Sequence, residues 1–209
     1  MSQAEPNPLR IASLTNPVRY VLAGLFFVLL AASTPALAAG GKPAAPLLTP
    51  QARLDELFGR LAQASSPQEA QVISSSIEHI WLRSGSDTAD LLMDRALTAL
   101  TAKNTPLALE VLDKVIALEP DWAEAWNKRA TLRYFDNDDK GSMSDIAHVL
   151  ALEPRHFGAL AGMAYILQRN GDDKHAMQIF RRVLEISPQQ DGVRKIVEKL
   201  APEVDGREL

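Results

Sequence analysis

Three groups of side chains in this sequence could do chemistry. Asp136-Asn137-Asp138-Asp139-Lys140-Gly141 begins like a calcium-binding loop. Such a loop needs an oxygen ligand at its fifth position and a bidentate Glu at its twelfth. Those positions hold Lys140 and Ala147, so the coordination shell cannot close, and the segment reads as a polar turn between helices. The four histidines, His79, His148, His156 and His175, form no H-E-x-x-H and no ligand pair at i, i+4. Asp172, Asp173 and His175 share a helix start, where acids sit favourably against the helix dipole as a solvated first turn. Ser74-Ser75-Ser76 lies inside an amphipathic run with no neighbouring base in sequence, and no G-x-S-x-G, Walker A or G-x-G-x-x-G is present. With no Cys among 209 residues, disulfides, thiol catalysis, iron–sulfur clusters and cysteine-based zinc sites drop out together. The expectation is a chain with no catalytic, cofactor-binding or metal residues.

The elements around these residues are unevenly apolar. Tyr20 to Ala32 is thirteen residues without a charge, preceded by Arg10 and Arg19 and followed by Ala36-Leu37-Ala38. That order matches a secretory signal peptide over 1–38, and the run is shorter than the roughly 20 residues a stable span requires. The protein is expected to be periplasmic or secreted after cleavage near Ala38, the alternative being an inner-membrane anchor formed by an uncleaved signal. Residues 39–50, with two Gly and three Pro, read as a flexible linker. The net charge is −4; removing 1–38 takes 22 basic residues to 20 and 26 acidic residues to 25, a net of −5. A nucleic-acid binder that tracks phosphates needs a basic stripe, so no nucleic-acid partner is expected.

A period of 34 residues organises the remainder. Leu118-Glu119-Pro120, Leu152-Glu153-Pro154 and Ile186-Ser187-Pro188 recur at that spacing, each after an amphipathic helical run that its proline ends. Frames of 89–122, 123–156 and 157–190 align small residues at position 8 (Ala96, Ala130, Ala164) and position 20 (Ala108, Ser142, Ala176). Leu112, Ile146 and Phe180 share position 24. On these residues the chain resembles the tetratricopeptide-repeat family over 102 of its 209 residues, and specifically an exported bacterial member. It departs from the pattern at position 7 (Arg95, Arg129) and at position 11 (Ala99, Arg133, Leu167).

The local signals agree with this phasing. Asp121 with Glu124 reads as a capping box, Thr105-Pro106 as a helix start, and Asn170-Gly171 as a helix stop. Residues 51–88 read as an N-terminal helical pair, a degenerate repeat or a cap, whose second helix starts at Ser66-Pro67-Gln68-Glu69 and stops at Gly85. Residues 191–209 read as a capping helix and tail, with Val193, Ile196, Val197 and Leu200 as its stripe. Nine helices and no strand are expected.

The resemblance implies an all-α fold, a right-handed α-solenoid of helix-turn-helix repeats, and a non-enzymatic scaffold binding a protein or peptide partner of the cell envelope in its concave face. In that family, positions 2, 5, 9, 12 and 13 of each first helix line the groove. The residues this selects for partner binding are Asp90, Met93, Leu97, Glu124, Asn127, Thr131, Tyr134, Tyr165, Gln168 and Arg169. Leu100, Thr101, Phe135, Gly158 and Ala161 occupy the other groove positions, and Leu97, Leu100 and Phe135 are as well suited to packing against neighbouring helices. The family's clamp for a terminal carboxylate maps to Met93, Leu97, Lys128, Gly158 and Gly162, where one residue of five is basic, so that mode is not expected. The alternative functions are a self-associating structural or assembly module of the envelope and, behind it, an enzyme whose site no motif reveals.

Overall fold

The computed structural model describes residues 48–206. The expected leader, 1–38, and most of the expected linker lie outside them. Leu48 and Thr49 precede the first helix, and the Thr49 side chain accepts the Ala52 N–H, so the folded part begins before the expected linker ends.

Nine helices and no strand make up the described residues: α1 (Pro50–Ala62), α2 (Pro67–Trp81), α3 (Asp87–Thr101), α4 (Thr105–Leu118), α5 (Ala123–Phe135), α6 (Asp139–Leu152), α7 (Phe157–Arg169), α8 (Asp173–Ile186) and α9 (Asp191–Val204). The second helix of each repeat starts and stops 34 residues after its predecessor because the same local chemistry recurs. Asn104, Asp138 and Asp172 cap α4, α6 and α8 by accepting the N–H three residues on, from Leu107, Gly141 and His175. The residue before each cap turns into left-handed backbone: Lys103 at φ 57°, Asn137 at 60° and Gly171 at 79°.

Two helix starts differ from expectation. Asn104, not Thr105, caps α4, which places Thr105 and Pro106 in its first turn. No capping box opens α5: Trp122, which has no side-chain acceptor, stands at the N-cap in place of Asp121, and the Glu124 carboxylate bonds His156, Lys128 and Asn127 instead. At the start of α2, Ser66 does cap Glu69, but Glu69 reaches back to Ser65.

Within each repeat the buried small residues let the two helices approach. Ala96 meets the α4 side at Ala108, and Ala164 the α8 side at Ala176, all of them buried. In the middle repeat Ser142 replaces alanine, and its hydroxyl donates to the Ala130 carbonyl at 2.8 Å. The departures at positions 7 and 11 have a partner here. Asp145, buried on α6, accepts Arg129 Nε at 2.9 Å, Arg129 Nη2 at 2.7 Å and Arg133 Nη1 at 2.9 Å. Position 23, occupied by Asp145, is Val111 in the first repeat and Ile179 in the third. An ionic triad therefore occupies the positions that are Met163, Leu167 and Ile179 in the third repeat.

The N-terminal pair does not extend the stack ahead of α3. α1 and α2 share one apolar core with α7, α8 and α9, through Leu57, Phe58, Leu61, Ile73, Ile77 and Trp81 against Phe157, Leu160, Phe180 and Val183. Arg155 bonds Asp55 at 2.8 Å and lies 4.2 Å over the Phe58 ring, and Gln189 donates to the Ala64 carbonyl at 3.0 Å. Trp122 donates its indole N–H to the Trp81 carbonyl at 2.7 Å. The leading face of α3 is left uncovered and is mostly polar. Thr88, Leu91 and Thr98 are exposed, whereas their equivalents in the later repeats, Trp122 and His156, Ala125 and Ala159, and Leu132 and Ile166, are buried; Arg95 is exposed beside them.

Candidate partner-binding groove

The first helices of the repeats, α3, α5 and α7, carry the groove positions, and α2 reaches across part of this face. Met93, 1% exposed, is buried where the end of α2 meets α3, alongside His79 and Leu82. It is therefore core and not contact surface. Asp90 accepts the Ser84 N–H at 2.8 Å and the Ser84 hydroxyl at 2.7 Å, so it fixes the loop from α2 to α3. Leu97 is half-buried beside it.

Glu124, 4% exposed, is likewise unavailable to a partner. Its carboxylate bonds His156 Nε2 at 3.0 Å, Lys128 Nζ at 2.6 Å and the Asn127 side-chain amide at 3.0 Å. His156 Nδ1 accepts the Ala159 N–H at 3.1 Å and so caps α7, which places the ring proton on Nε2, facing Glu124. The ring also stacks on Trp81, with centroids 4.1 Å apart. Burial alone would raise the Glu124 pKa; the hydrogen bond from His156 and the charge of Lys128 outweigh it and hold the carboxyl below its ordinary value.

Beyond α2 the groove stays open. A cleft of about 320 Å³ lies between α5 and α7, lined by Asn127, Thr131, Tyr134, Phe135, Gly158, Ala161, Gly162 and Tyr165 over a floor that includes Ala130 and Ile146. Phe135 is 74% exposed at its edge, so of the two roles open to it the structure gives it the surface one. Leu100 is exposed as well. Two glycines make the room. A Cβ on Gly162 would meet only Ile146 Cδ1 at 3.5 Å, and one on Gly158 only the His156 ring, nearest at 3.4 Å. In the sequence Gly162 maps only to a clamp position without a basic residue; the missing side chain between Ala161 and Met163 is the one local sign of the cleft.

The remaining selected residues frame the cleft from behind. Arg169 lies 4.2 Å over the Tyr134 ring, forms an ion pair with Asp139 and bonds Asn137, so it braces the turn between α5 and α6. Tyr165 rests edge-on against Phe180, with 5.1 Å between centroids. Gln168 is half-buried and outside the cleft lining. Of the ten selected residues the cleft unites four, Asn127, Thr131, Tyr134 and Tyr165. The calcium-like segment 136–141 is the turn into α6, with Asp138 spent as its cap.

No protein-family model matches the chain. A TPR repeat-containing protein of Rhizobium etli is 46% identical over 101 residues, covering 48% of this chain and 50% of that protein. The chain thus spans about half the length of this curated relative. Among solved structures, the first TPR of Spaghetti (RPAP3) bound to the HSP90 peptide SRMEEVD superposes with a TM-score of 0.52 at 16% identity, over 56% of this chain and 96% of that one. The Sgt2 TPR domain from Aspergillus fumigatus gives 0.52 at 14% identity, over 57% and 81%. MamA gives 0.52 at 15% identity, over 55% and 67%. At these identities the structural likeness speaks for the fold, which is the stacked helix-pair solenoid of tetratricopeptide-repeat proteins.

Proposed function

We propose that this tetratricopeptide-repeat solenoid is an exported, non-enzymatic scaffold that binds a segment of a partner protein in the open half of its concave face. The observation that carries the proposal is the α5–α7 cleft, where Phe135 stands exposed beside two tyrosines and two glycines leave unfilled apolar space. Aromatic side chains around a preformed apolar pocket are the usual anchors of an interface. In the Spaghetti structure a domain of the same fold holds a peptide, which supports a peptide or protein as occupant. Under this proposal residues 1–38 are the leader and the mature protein works in the envelope. Detection of a mature N-terminus at Ala39 or Gly40 in the periplasmic fraction supports export, and retention of the intact leader in the membrane contradicts cleavage.

The groove is tested by filling it. Gly162→Leu puts a side chain into the cleft while giving α7 a better helix former, so stability should hold or rise. Partner capture in whole-cell crosslinking through a photoreactive residue at Thr131 should fall at least tenfold in Gly162→Leu with helical circular dichroism unchanged. Undiminished capture counts against the groove. Light scattering that shows concentration-dependent oligomers, lost with the same substitution, assigns the cleft to self-association.

A further inference from the structure

A second cleft bears on what kind of segment would fit. About 510 Å³ in size, it is walled by α2 on one side and the turn from α8 into α9 on the other, and it shares Gly158, Ala161 and Tyr165 with the apolar cleft. Two acidic residues line it, Glu78 and Asp191, and no Lys, Arg or His does. Glu78 is an exposed residue whose carboxyl, partly desolvated at its inner side, has no hydrogen-bond partner among the described residues. Its lost hydration raises its pKa and the charge of Glu124 adds to the rise, while Lys128 and His156 oppose it. Asp191 is exposed, with Arg194 3.8 Å away. The cations that border the groove are already engaged: Lys128 by Glu124, Arg169 by Asp139, and Arg129 and Arg133 by Asp145.

Ser187 supplies an independent sign of a missing ligand. Its counterpart in the middle repeat is Glu153, whose carboxylate accepts the Arg155 N–H at 3.0 Å and the Arg155 Nε at 2.9 Å. In the third repeat a serine replaces that glutamate at the border of the acidic cleft. Ser187 is 1% exposed, and its Oγ has no hydrogen-bond partner. A buried hydroxyl left unpaired is costly, and native structures rarely keep one without cause.

Building on the groove proposal, we infer that the occupant is an extended basic–apolar segment of a partner protein, with an apolar side chain in the α5–α7 cleft and a lysine or arginine in the adjoining cleft, its cationic head between Glu78 and Asp191 and bonded to Ser187 Oγ once that hydroxyl turns toward the cleft. Alternate side chains of an extended chain point to one face about 7 Å apart, so the two anchors fall within a few residues of each other. The acidic net charge of the chain favours the same class of partner.

The test uses three sets of fluorescent, end-blocked decapeptides in which one Leu or Phe is followed, one to four residues later, by Lys, Gln or Glu. Binding to the full-length protein is read by fluorescence polarisation at low and physiological salt. The tightest Lys peptides should bind at least tenfold more tightly than their Glu counterparts, and Glu78→Gln with Asp191→Asn should reduce that preference to twofold or less while leaving the Gln peptides unchanged. Gly162→Leu should weaken all three sets. Equal binding of Lys and Glu peptides that Gly162→Leu still abolishes overturns this inference and leaves the groove standing. A lack of binding by every set overturns both.

Discussion

Asp145 is one residue on which the middle repeat depends. It is buried and receives two guanidinium groups, whose other carboxylate neighbours are the more exposed Asp113, 2.6 Å from Arg129, and Asp138, 3.9 Å from Arg133. Asp145→Asn should cost about 3 kcal/mol, since it removes the buried carboxylate that two partly buried guanidinium groups share and leaves them only their exposed partners. The triple replacement Arg129→Met, Arg133→Leu and Asp145→Ile, which installs the residues of the third repeat, should lie within about 1.5 kcal/mol of the parent in urea denaturation. Both arginines were visible in the sequence as departures from the repeat pattern. Their explanation was not, because the carboxylate lies 16 and 12 residues away and only helix packing brings it close. Glu124 has a pH signature of its own. Its folded pKa lies below the ordinary 4.5, so its stabilisation is complete above that pH and is lost as pH falls through the folded value. The urea midpoint of the parent should therefore drop more steeply below pH 4.5 than that of Glu124→Gln.

At the scale of the element, the turns within the repeats carry a correctable cost. Lys103 holds left-handed backbone at φ 57°, in the position that glycine occupies in the third repeat as Gly171. Lys103→Gly should raise stability by up to about 1 kcal/mol, read as a shift in thermal midpoint. Helix positions were well marked in the sequence because caps and apolar spacing are local properties. The exceptions, at Asn104 and Trp122, arose where two candidate caps were adjacent and where the N-cap fell one residue on, at a side chain without an acceptor. The docking of α1 and α2 belongs to this scale as well. Trp81 packs on Phe58, His156 and Phe157 at once, so Trp81→Ala should cost about 3–5 kcal/mol. Hydrogen exchange should then show the amides of α1 and α2 losing protection before those of α3 and α4.

Across the whole of the described chain, that docking decides how much groove is left. By lying over Met93 and Glu124, α2 removes these two groove positions from contact and leaves the open surface to α5 from Asn127 onward and to α7, around Thr131, Tyr134, Phe135 and Tyr165. The exposed face of α3 tells the same story from the other end. Thr88 and Thr98 stand where later repeats bury a Trp or His and a Leu or Ile, which lets the stack end there without a covering helix. Substituting Thr98→Leu should leave stability within about 0.5 kcal/mol and make the protein associate at high concentration, measured by light scattering.

The sequence by itself determined the helices, their 34-residue period and the small residues at each helix contact, because capping, proline breaks and apolar spacing act over a few residues. It also placed the tyrosines of the open cleft, through the register of the repeat. Only the tertiary structure decided which groove positions face a partner, why two arginines are tolerated in a helix contact, and where the N-terminal pair docks. Each of these depends on side chains far apart in the chain meeting across packed helices, and no local spacing encodes the partner of a buried charge or the space that a distant helix fills.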